Sequence, residues 1–573
     1  MTLYAYLTKT ADVATGEQPP RPAMTLPPSV RTGFTPRPHQ ENAIRRLFEN
    51  QGRMLMAHDT GTGKTLTSIV GSEMLREKGG GTVLVVAPSG LRKNYADAVK
   101  QFTTRRTHVA NGPDDIDPGA DYNVVSYEAL RSDPDGVMQR SGATTLILDE
   151  FHRARNDRTS TYAALWRARQ HAKHFMGLTA SPINNHPDEL AALLSLSENN
   201  PNLTKADFRR KFVRQVGETT GFTGTQRPLY GIRDPAQFVK SVYPKMDVVG
   251  TEDIPGNDMP RKDTKNVYVP MSPEQWRLYQ LSLKRLGPVA EYITRRDKNV
   301  SVKDAEMVFT QIAQARQIAN SLHRGRADVT PEASALRTPK VNKLLSDAEA
   351  HLNERPDNQA VLYTNLINGG VDVLSAGLKA RGIPHALFIG KGTEVGDSRV
   401  TEAVRQQGVA DYKAGKKRVI VVSGAGAEGL DLKDSTAFFA LDGHFNPQRV
   451  LQAEARARRL GGLAARPPQE RVVDVRRYQS VAPGGNQPGL LARLVGRKPD
   501  RTTDEWTYQV AAAKAGMGKQ FSTALRSAPS YIRKEPVVRQ DGSPGVRYVY
   551  NTPAQPTFFQ RVLGAQPPKL ETP

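Results

Sequence analysis

The chain has no cysteine in any of its 573 positions. That absence excludes a disulfide scaffold, thiolate metal sites, an iron–sulfur cluster and a cysteine nucleophile. Long apolar runs are missing too: none approaches the roughly 18–20 residues that a membrane-crossing helix requires. The opening residues, MTLYAYLTKTADVATGE, have neither the basic region nor the apolar core of a signal peptide. A cytoplasmic protein with no membrane partner is therefore expected. Acidic side chains are scarce relative to basic ones, 58 Asp plus Glu against 80 Lys plus Arg, for a formal net charge of +22. Such a balance suits a polyanionic partner, nucleic acid first. Solvated charge on an ordinary surface gives the same number, so motifs must decide. Tryptophan is rare, and Trp166, Trp276 and Trp506 read as packing residues rather than base-stacking platforms. His171 and His174 lie three apart on an expected helix with no third ligand evident, and read as surface residues rather than a metal pair.

Apolar residues make up 38% of the chain, with 47 glycines besides, so large cores can form. The length implies about three or four domains. Residues 1–33 are a Pro-rich N-terminal extension, expected to be extended and without a core of its own. Short apolar runs then alternate with helical patterns. Met54–Met56, TVLVVA (82–87), NVVSY (123–127), TLILD (145–149) and FMGLT (175–179) read as buried strands. AVLYT (360–364), HALFI (385–389), RVIVV (418–422), AFFAL (437–441) and RVVDV (471–475) repeat the pattern. Strands alternating with helices imply parallel, helix-covered sheets. An α/β fold with two such units, 34–199 and 340–480, is the expectation. Residues 200–339 between them read as a charged helical insertion, with a glycine-containing loop at 215–231. Residues 481–573 read as a linker and a basic tail.

The strongest chemical signal is DTGTGKT (59–65), between a strand and a helix that starts at Lys64. A phosphate loop belongs there. Gly61 and Gly63 let backbone N–H groups face phosphate oxygens, and Asp59, Thr60 and Thr62 complete the loop. The helix N-terminus adds a favourable dipole. Lys64 would reach the β and γ phosphates, and the Thr65 hydroxyl would ligate Mg2+. The strict pattern has glycine at position 58, where this chain has His58. Second, LILDEFHRARN (146–156) ends an apolar strand in Asp-Glu. Asp149 would hold Mg2+ and Glu150 would orient or deprotonate the attacking water. Third, on a helix over QRVLQAEARARRL (448–460), Arg449, Gln452, Arg456 and Arg459 would fall on one stripe. Guanidiniums in a row suit charge developing on a transferred phosphoryl group, and equally a solvated basic face.

These motifs resemble the superfamily-two helicases and translocases, most closely their Swi/Snf-like branch. RPHQ (37–40) looks like the branch's opening motif, which puts Arg37 at the nucleotide and gives Gln40 the adenine edge. VVAPSGLRKNY (85–95) and VVSYEAL (124–130) look like the next two motifs. DEFH (149–152) is a DEAH-box variant containing His152. GLTASPINN (177–185) resembles the coupling motif, with Thr179 and Ser181 in its hydroxyl positions. VVSGAGAEGLDL (421–432) resembles the glycine-rich motif of the second lobe, matching at Gly426, Gly429 and Asp431. FNPQRVLQAEARARRLGG (445–462) looks like the last motif, with Gln452 in a coupling role and Arg456 and Arg459 as arginine fingers. WTYQVAAAKAGMGKQF (506–521) resembles the branch's brace helix. Where the branch has Asp-Glu-Met, this chain has His58, Asp59 and Thr60.

The resemblance implies two tandem RecA-like lobes with helical insertions and a basic C-terminal extension. It implies ATP and Mg2+ as cofactors, and a motor on nucleic acid, duplex DNA first. Ser89, Ser126 and Ser423 are the candidate phosphate contacts. The alternatives are a strand-separating or RNA-directed helicase, and a nucleotide-gated binding protein without turnover. Arg- and Ala-rich usage without large accessory domains suggests a bacterial or phage source.

Overall fold

The computed structural model describes residues 24–184, 186–220, 226–254, 259–294, 305–390, 392–396, 398–424, 430–459, 461–484, 501–526, 532–538 and 544–550. The chain divides into two compact units. The first draws on Met1–Val216, Tyr230–Asp253 and Met517–Pro573, the second on Gly217–Leu229 and Ile254–Gly516.

In the first unit the strands are β1 (Arg53–His58), β2 (Thr82–Ala87), β3 (Thr107–Val109), β4 (Tyr122–Ser126), β5 (Ala143–Leu148) and β6 (His174–Thr179). After a separate two-stranded sheet of β7 (Val213–Thr220) and β8 (Gln226–Ile232) comes β9 (Met246–Val249). The main sheet runs β3-β4-β2-β5-β6-β1-β9, and every pairing in it is parallel. Parallel sheets are covered on both faces, so their strands carry apolar residues on both sides. Leu55, Leu84, Val86, Leu146, Leu148 and Phe175 pack into one core. Met54, Met56, Val83, Val85, Ile147 and Met176 pack into the other. The alternation along each strand is the period of two of extended chain.

The second unit repeats the plan. Its strands are β10 (Arg261–Pro270), β11 (Ala360–Thr364), β12 (His385–Phe388), the short hairpin β13 (Glu394–Val395) and β14 (Ser398–Arg399), β15 (Val419–Ser423), β16 (Ala437–Ala440) and β17 (Val472–Val481). The six-stranded parallel sheet is ordered β10-β17-β16-β11-β15-β12. Leu362, Val421 and Phe439 face one core, Val361, Ile420 and Phe438 the other. Helix Thr503–Arg526 gives Trp506 and Val510 to a core of this unit; its C-terminal residues Phe521, Ala524 and Leu525 belong to a core of the first unit. An antiparallel hairpin, β18 (Ile532–Val538) and β19 (Pro544–Tyr550), follows.

The α/β class with two parallel-sheet units is thus the one expected, but three local readings change. Residues 200–339, read as a helical insertion, also supply strands: β9 is an edge strand of the first sheet and β10 of the second. Charge hid β10, most of whose side chains are exposed and polar, as suits an edge strand. The span 215–231 is largely a strand pair rather than a loop. Gly217 and Gly231 sit inside those strands, where the ladder needs only their backbone groups. His171 ends its helix and His174 opens β6, buried at 9% exposure, so the two histidines share no helix face. The end of the Pro-rich extension also docks: Val30 bridges Thr103, and the Ser29 hydroxyl donates to Glu73.

Gly177 in β6 is a close-approach position, because a Cβ there would sit 2.2 Å from Phe151 Cδ1, and Phe151 is fully buried. Gly177→Ala must push that ring out of place. It is expected to lower stability by about 1–3 kcal/mol, read as an earlier unfolding transition in urea.

Candidate nucleotide site

Parallel pairing brings the C-terminal ends of β1, β5 and β6 to one edge of the first sheet, where ligands of such sheets bind. β1 ends at His58, and helix Lys64–Glu77 starts six residues later. The intervening loop turns on Gly61 and Gly63, both left-handed, with φ of 86° and 88°. A Cβ on Gly63 would lie 2.5 Å from Gln40 Nε2. Lys64 Nζ donates to the carbonyls of His58 (2.6 Å) and Asp59 (3.0 Å). The Thr62 hydroxyl donates to Asp59 O at 2.8 Å. Asp59 N–H donates to Val249 O (2.9 Å), and Thr251 N–H to Asp59 Oδ2 (3.1 Å), so the end of β9 braces the loop. Thr60 and Thr65 are half-buried. A helix N-terminus behind a glycine loop with a lysine at its first turn can hold a phosphate chain.

Helix Pro38–Glu49 flanks the loop. His39 Nε2 donates to Thr62 O at 2.9 Å, and Gln40 Nε2 lies 3.5 Å from Gly63 O. Gln40 Oε1 accepts from Arg37 N–H at 2.9 Å, closing the first turn. Burial lowers the His39 pKa, with the Thr62 carbonyl opposing, which favours the neutral ring.

Asp149 and Glu150 follow β5, as expected. Asp149 N–H donates to Val86 O (2.8 Å), Tyr127 donates its hydroxyl to Asp149 O (2.7 Å), and Glu150 N–H donates to Asp149 Oδ1 (3.1 Å). Glu150 holds a left-handed φ of 52°, a conformation that costs a non-glycine residue energy and recurs at functional sites. His152 Nδ1 lies 3.2 Å from Glu150 Oε2 and 3.3 Å from Thr179 Oγ1, and Ser181 N–H donates to that hydroxyl at 3.0 Å. β6 lies between β5 and β1, so Thr179 and Ser181 stand between the acidic pair and the loop along the edge. Thr65 and Asp149 offer only oxygen donors, the chemistry that Mg2+ takes. Among the described residues no group of three or more His, Asp or Glu could hold a metal ion by itself.

In the second unit, helix Pro447–Ala457 carries Arg449, Gln452 and Arg456, but it stops before Arg459. Arg458 leaves the helical region and donates to Pro260 O (2.6 Å), and the chain turns at Gly461, so the four-residue stripe is broken. Arg459 nonetheless stays near Arg456. Burial, with the Arg456 charge adding to it, pulls the Arg459 guanidinium down to about 10, against the opposing Asp431 charge. It stays charged at neutral pH. Arg459 Nε is 3.6 Å from Asp431 Oδ1, and Nη2 donates to Leu430 O at 3.1 Å. Gly426 and Gly429 lie outside the described residues. Of the three serines, Ser89 is exposed and donates to Glu128 (3.0 Å). Ser126 is buried, its hydroxyl capping a helix through Ala129 N–H (3.0 Å), and Ser423 is buried at the end of β15.

Sequence reasoning missed Arg46 and Asp247. Asp247 stands 189 positions from His58, whose Nε2 donates to its Oδ2 at 2.6 Å. No local pattern marks a lone aspartate in an apolar edge strand.

A phosphate loop and an Asp-Glu pair on one edge of a parallel sheet, with a second such sheet in the same chain, define the ATPase core of a helicase. The family follows from comparison: residues 39–324 match the SNF2-related domain and residues 340–461 the helicase conserved C-terminal domain. The chain belongs to the SNF2-related helicases and is a nucleic-acid-dependent ATPase. It is 22% identical to a protein of Acanthamoeba polyphaga mimivirus named as an ATP-dependent RNA helicase, over 78% of this chain and 89% of that one. It is 20% identical to the uncharacterized ATP-dependent helicase YqhH of Bacillus subtilis, over 76% and 74%. A solved SWI2/SNF2 ATPase core of Sulfolobus solfataricus, in complex with dsDNA, aligns over 88% of this chain and 98% of its own at 17% identity, with a TM-score of 0.36. Among the described residues no helix is long and apolar enough to cross a membrane.

Acid should test the missed carboxylate. Burial opposes ionisation of Asp247, but the Arg46 charge and His58 more than offset it and hold the group at about 2. An unfolded aspartate titrates near 3.9. The depressed value means a stabilising contribution that is full above about pH 4 and lost as pH falls toward 2. Asp247→Asn is expected to flatten that part of the stability profile, measured as urea midpoint against pH.

Proposed function

We propose that the protein is a translocase that moves along duplex DNA by hydrolysing ATP. The observation that carries this reading is the phosphate loop and the Asp149–Glu150 pair on one sheet edge, in a chain of the SNF2-related family with a net charge of +22. Gln40 and Arg37 hold the base side of ATP, and the loop from Asp59 to Thr65 holds its phosphates. Lys64 stabilises charge on the β and γ phosphates. Thr65 and Asp149 hold Mg2+, which neutralises phosphate charge. Glu150 orients and deprotonates the attacking water. Arg456 and Arg459 serve as arginine fingers, a role worth about 10³–10⁵ in rate in related chemistry. Asp431 keeps Arg459 in position. His152, Thr179, Ser181 and Gln452 relay the state of the nucleotide to the DNA groove. Ser89 supports the groove with its exposed hydroxyl; Ser126 and Ser423 act through backbone N–H groups at their strand ends. Contacts to phosphates grip DNA without reading sequence. The protein works in the cytoplasm.

A second reading, an RNA-directed or strand-separating enzyme, is favoured by the mimivirus relative, an RNA helicase by name. ATPase rates against duplex DNA, single strands, forks and RNA separate the two. Stimulation is expected to be largest with duplex DNA and to fall steeply with salt through counterion release. A rate indifferent to all of these polymers overturns both readings, and a preference for RNA overturns the first.

Lys64→Ala is expected to abolish turnover and weaken ATP binding. Glu150→Gln is expected to retain ATP binding while losing turnover by about 10²-fold or more. Fluorescent-nucleotide titration and phosphate release check both.

A further inference from the structure

The departure at position 58 has a structural counterpart. His58 is fully buried, and its Nε2 donates to Asp247 Oδ2 at 2.6 Å. The same carboxylate accepts from the Arg46 guanidinium, itself 2% exposed. Arg46 donates further to the carbonyls of Tyr243 and, at 2.8 Å, Met246, and lies 4.0 Å over the Tyr243 ring. One carboxylate therefore ties together the end of β1, strand β9 and helix Pro38–Glu49. These are the elements that also meet the phosphate loop. The helix reaches it through His39 to Thr62 O, β9 through Val249 O to Asp59 N–H, and β1 through His58 O, which accepts from Lys64. A buried ion pair held by several hydrogen bonds is rigid, and breaking one partner leaves the others costly to bury.

We propose that His58 is a positioning residue for nucleotide specificity: with Asp247 and Arg46 it fixes the helix that carries Gln40 against the phosphate loop, and so sets the distance between the base-binding and phosphate-binding halves of the site. This rests on the nucleotide-site reading above. A glycine at position 58 has no side chain to make this tie. The imidazole makes it, and the phosphates are met by the residues that follow. A ligand with both a base and a triphosphate feels the spacing. Inorganic tripolyphosphate, which has no base, does not.

The test uses the full chain and three probes: ATP, GTP and inorganic tripolyphosphate. His58→Leu removes the donor. It is expected to raise KM for ATP about tenfold with kcat within about twofold, and to narrow the preference for ATP over GTP about tenfold. Tripolyphosphate inhibition should stay within about twofold of the parent, because the loop itself is intact. His58→Gln, whose amide can reach Asp247 from the same place as Nε2, is expected to restore the ATP preference. Asp247→Asn, close to isosteric, should shift KM and preference in the same direction. Equal losses with ATP, GTP and tripolyphosphate, or a lower melting temperature with preference unchanged, overturn the proposal and leave the cluster a role in folding alone. A parent protein in which Lys64→Ala leaves ATP binding unaltered overturns the nucleotide-site reading instead, a result that the His58 variants cannot mimic.

Discussion

Parallel strand pairing is the constraint from which the site follows. Seven strands in the first sheet point the same way, so each one delivers its following loop to the same edge. The phosphate loop after β1, the acidic pair after β5 and the hydroxyl motif after β6 are distant in sequence, yet they need no special contact to become neighbours. The connection from one parallel strand to the next must cross over through a helix. That helix begins at the same edge and points its N-terminus at it. The Lys64–Glu77 helix is the case that matters, because its first turn carries the lysine and the Thr65 hydroxyl.

Burial then decides which polar groups keep one conformation. Thr179 is fully buried, and its hydroxyl accepts from Ser181 and meets His152, which in turn reaches Glu150. A rotation at Glu150 therefore disturbs the His152 ring, then Thr179. The contacts of Thr179 are hydrogen bonds around a hydroxyl with little water to substitute for them, and the step from His152 to Glu150 is an electrostatic contact. The left-handed backbone at Glu150 belongs to the same picture. The carboxylate is aimed by a strained main chain rather than by side-chain freedom, and Phe151, locked in the core against Phe175, holds the strain in place.

Much of this was legible because it is local. The strands of both sheets show as short apolar runs, and the glycines, lysine and Asp-Glu pair stand at strand ends where their chemistry is used. What escaped is what depends on long-range pairing. β10 opens with the charged and polar run Arg261–Asn266, and only its parallel partner β17 makes that run a strand. The β7–β8 pair was hidden by its glycines. The arginine stripe assumed that helical spacing continues through Arg459. Nothing in the arginines themselves announces that the chain turns off at Arg458, where the side chain finds Pro260 O instead. Asp247 is the clearest case. Its meaning comes from His58 and Arg46, roughly 190 and 200 positions away, and no window of sequence contains all three.

His58 also bears on whether the site is a working one. Losing the pattern's glycine reads, from sequence, as erosion. The structure instead gives the substituted side chain a buried partner. Here the imidazole has a carboxylate, the carboxylate has a guanidinium, and the guanidinium has two carbonyls. Lys64 meanwhile rests on two neutral carbonyl oxygens, those of His58 and Asp59. Phosphate oxygens carry charge, and hydrogen bonds from an ammonium group to charged acceptors are roughly twice as strong as those to neutral ones. On the proposed reading, the phosphates of the nucleotide compete with these carbonyls for Lys64. The loop has ties that do not involve Lys64: Asp59 to Val249 and Thr251, and His58 to Asp247. On the proposed reading the lysine is the part that moves, and the buried cluster beneath it is the part that stays still.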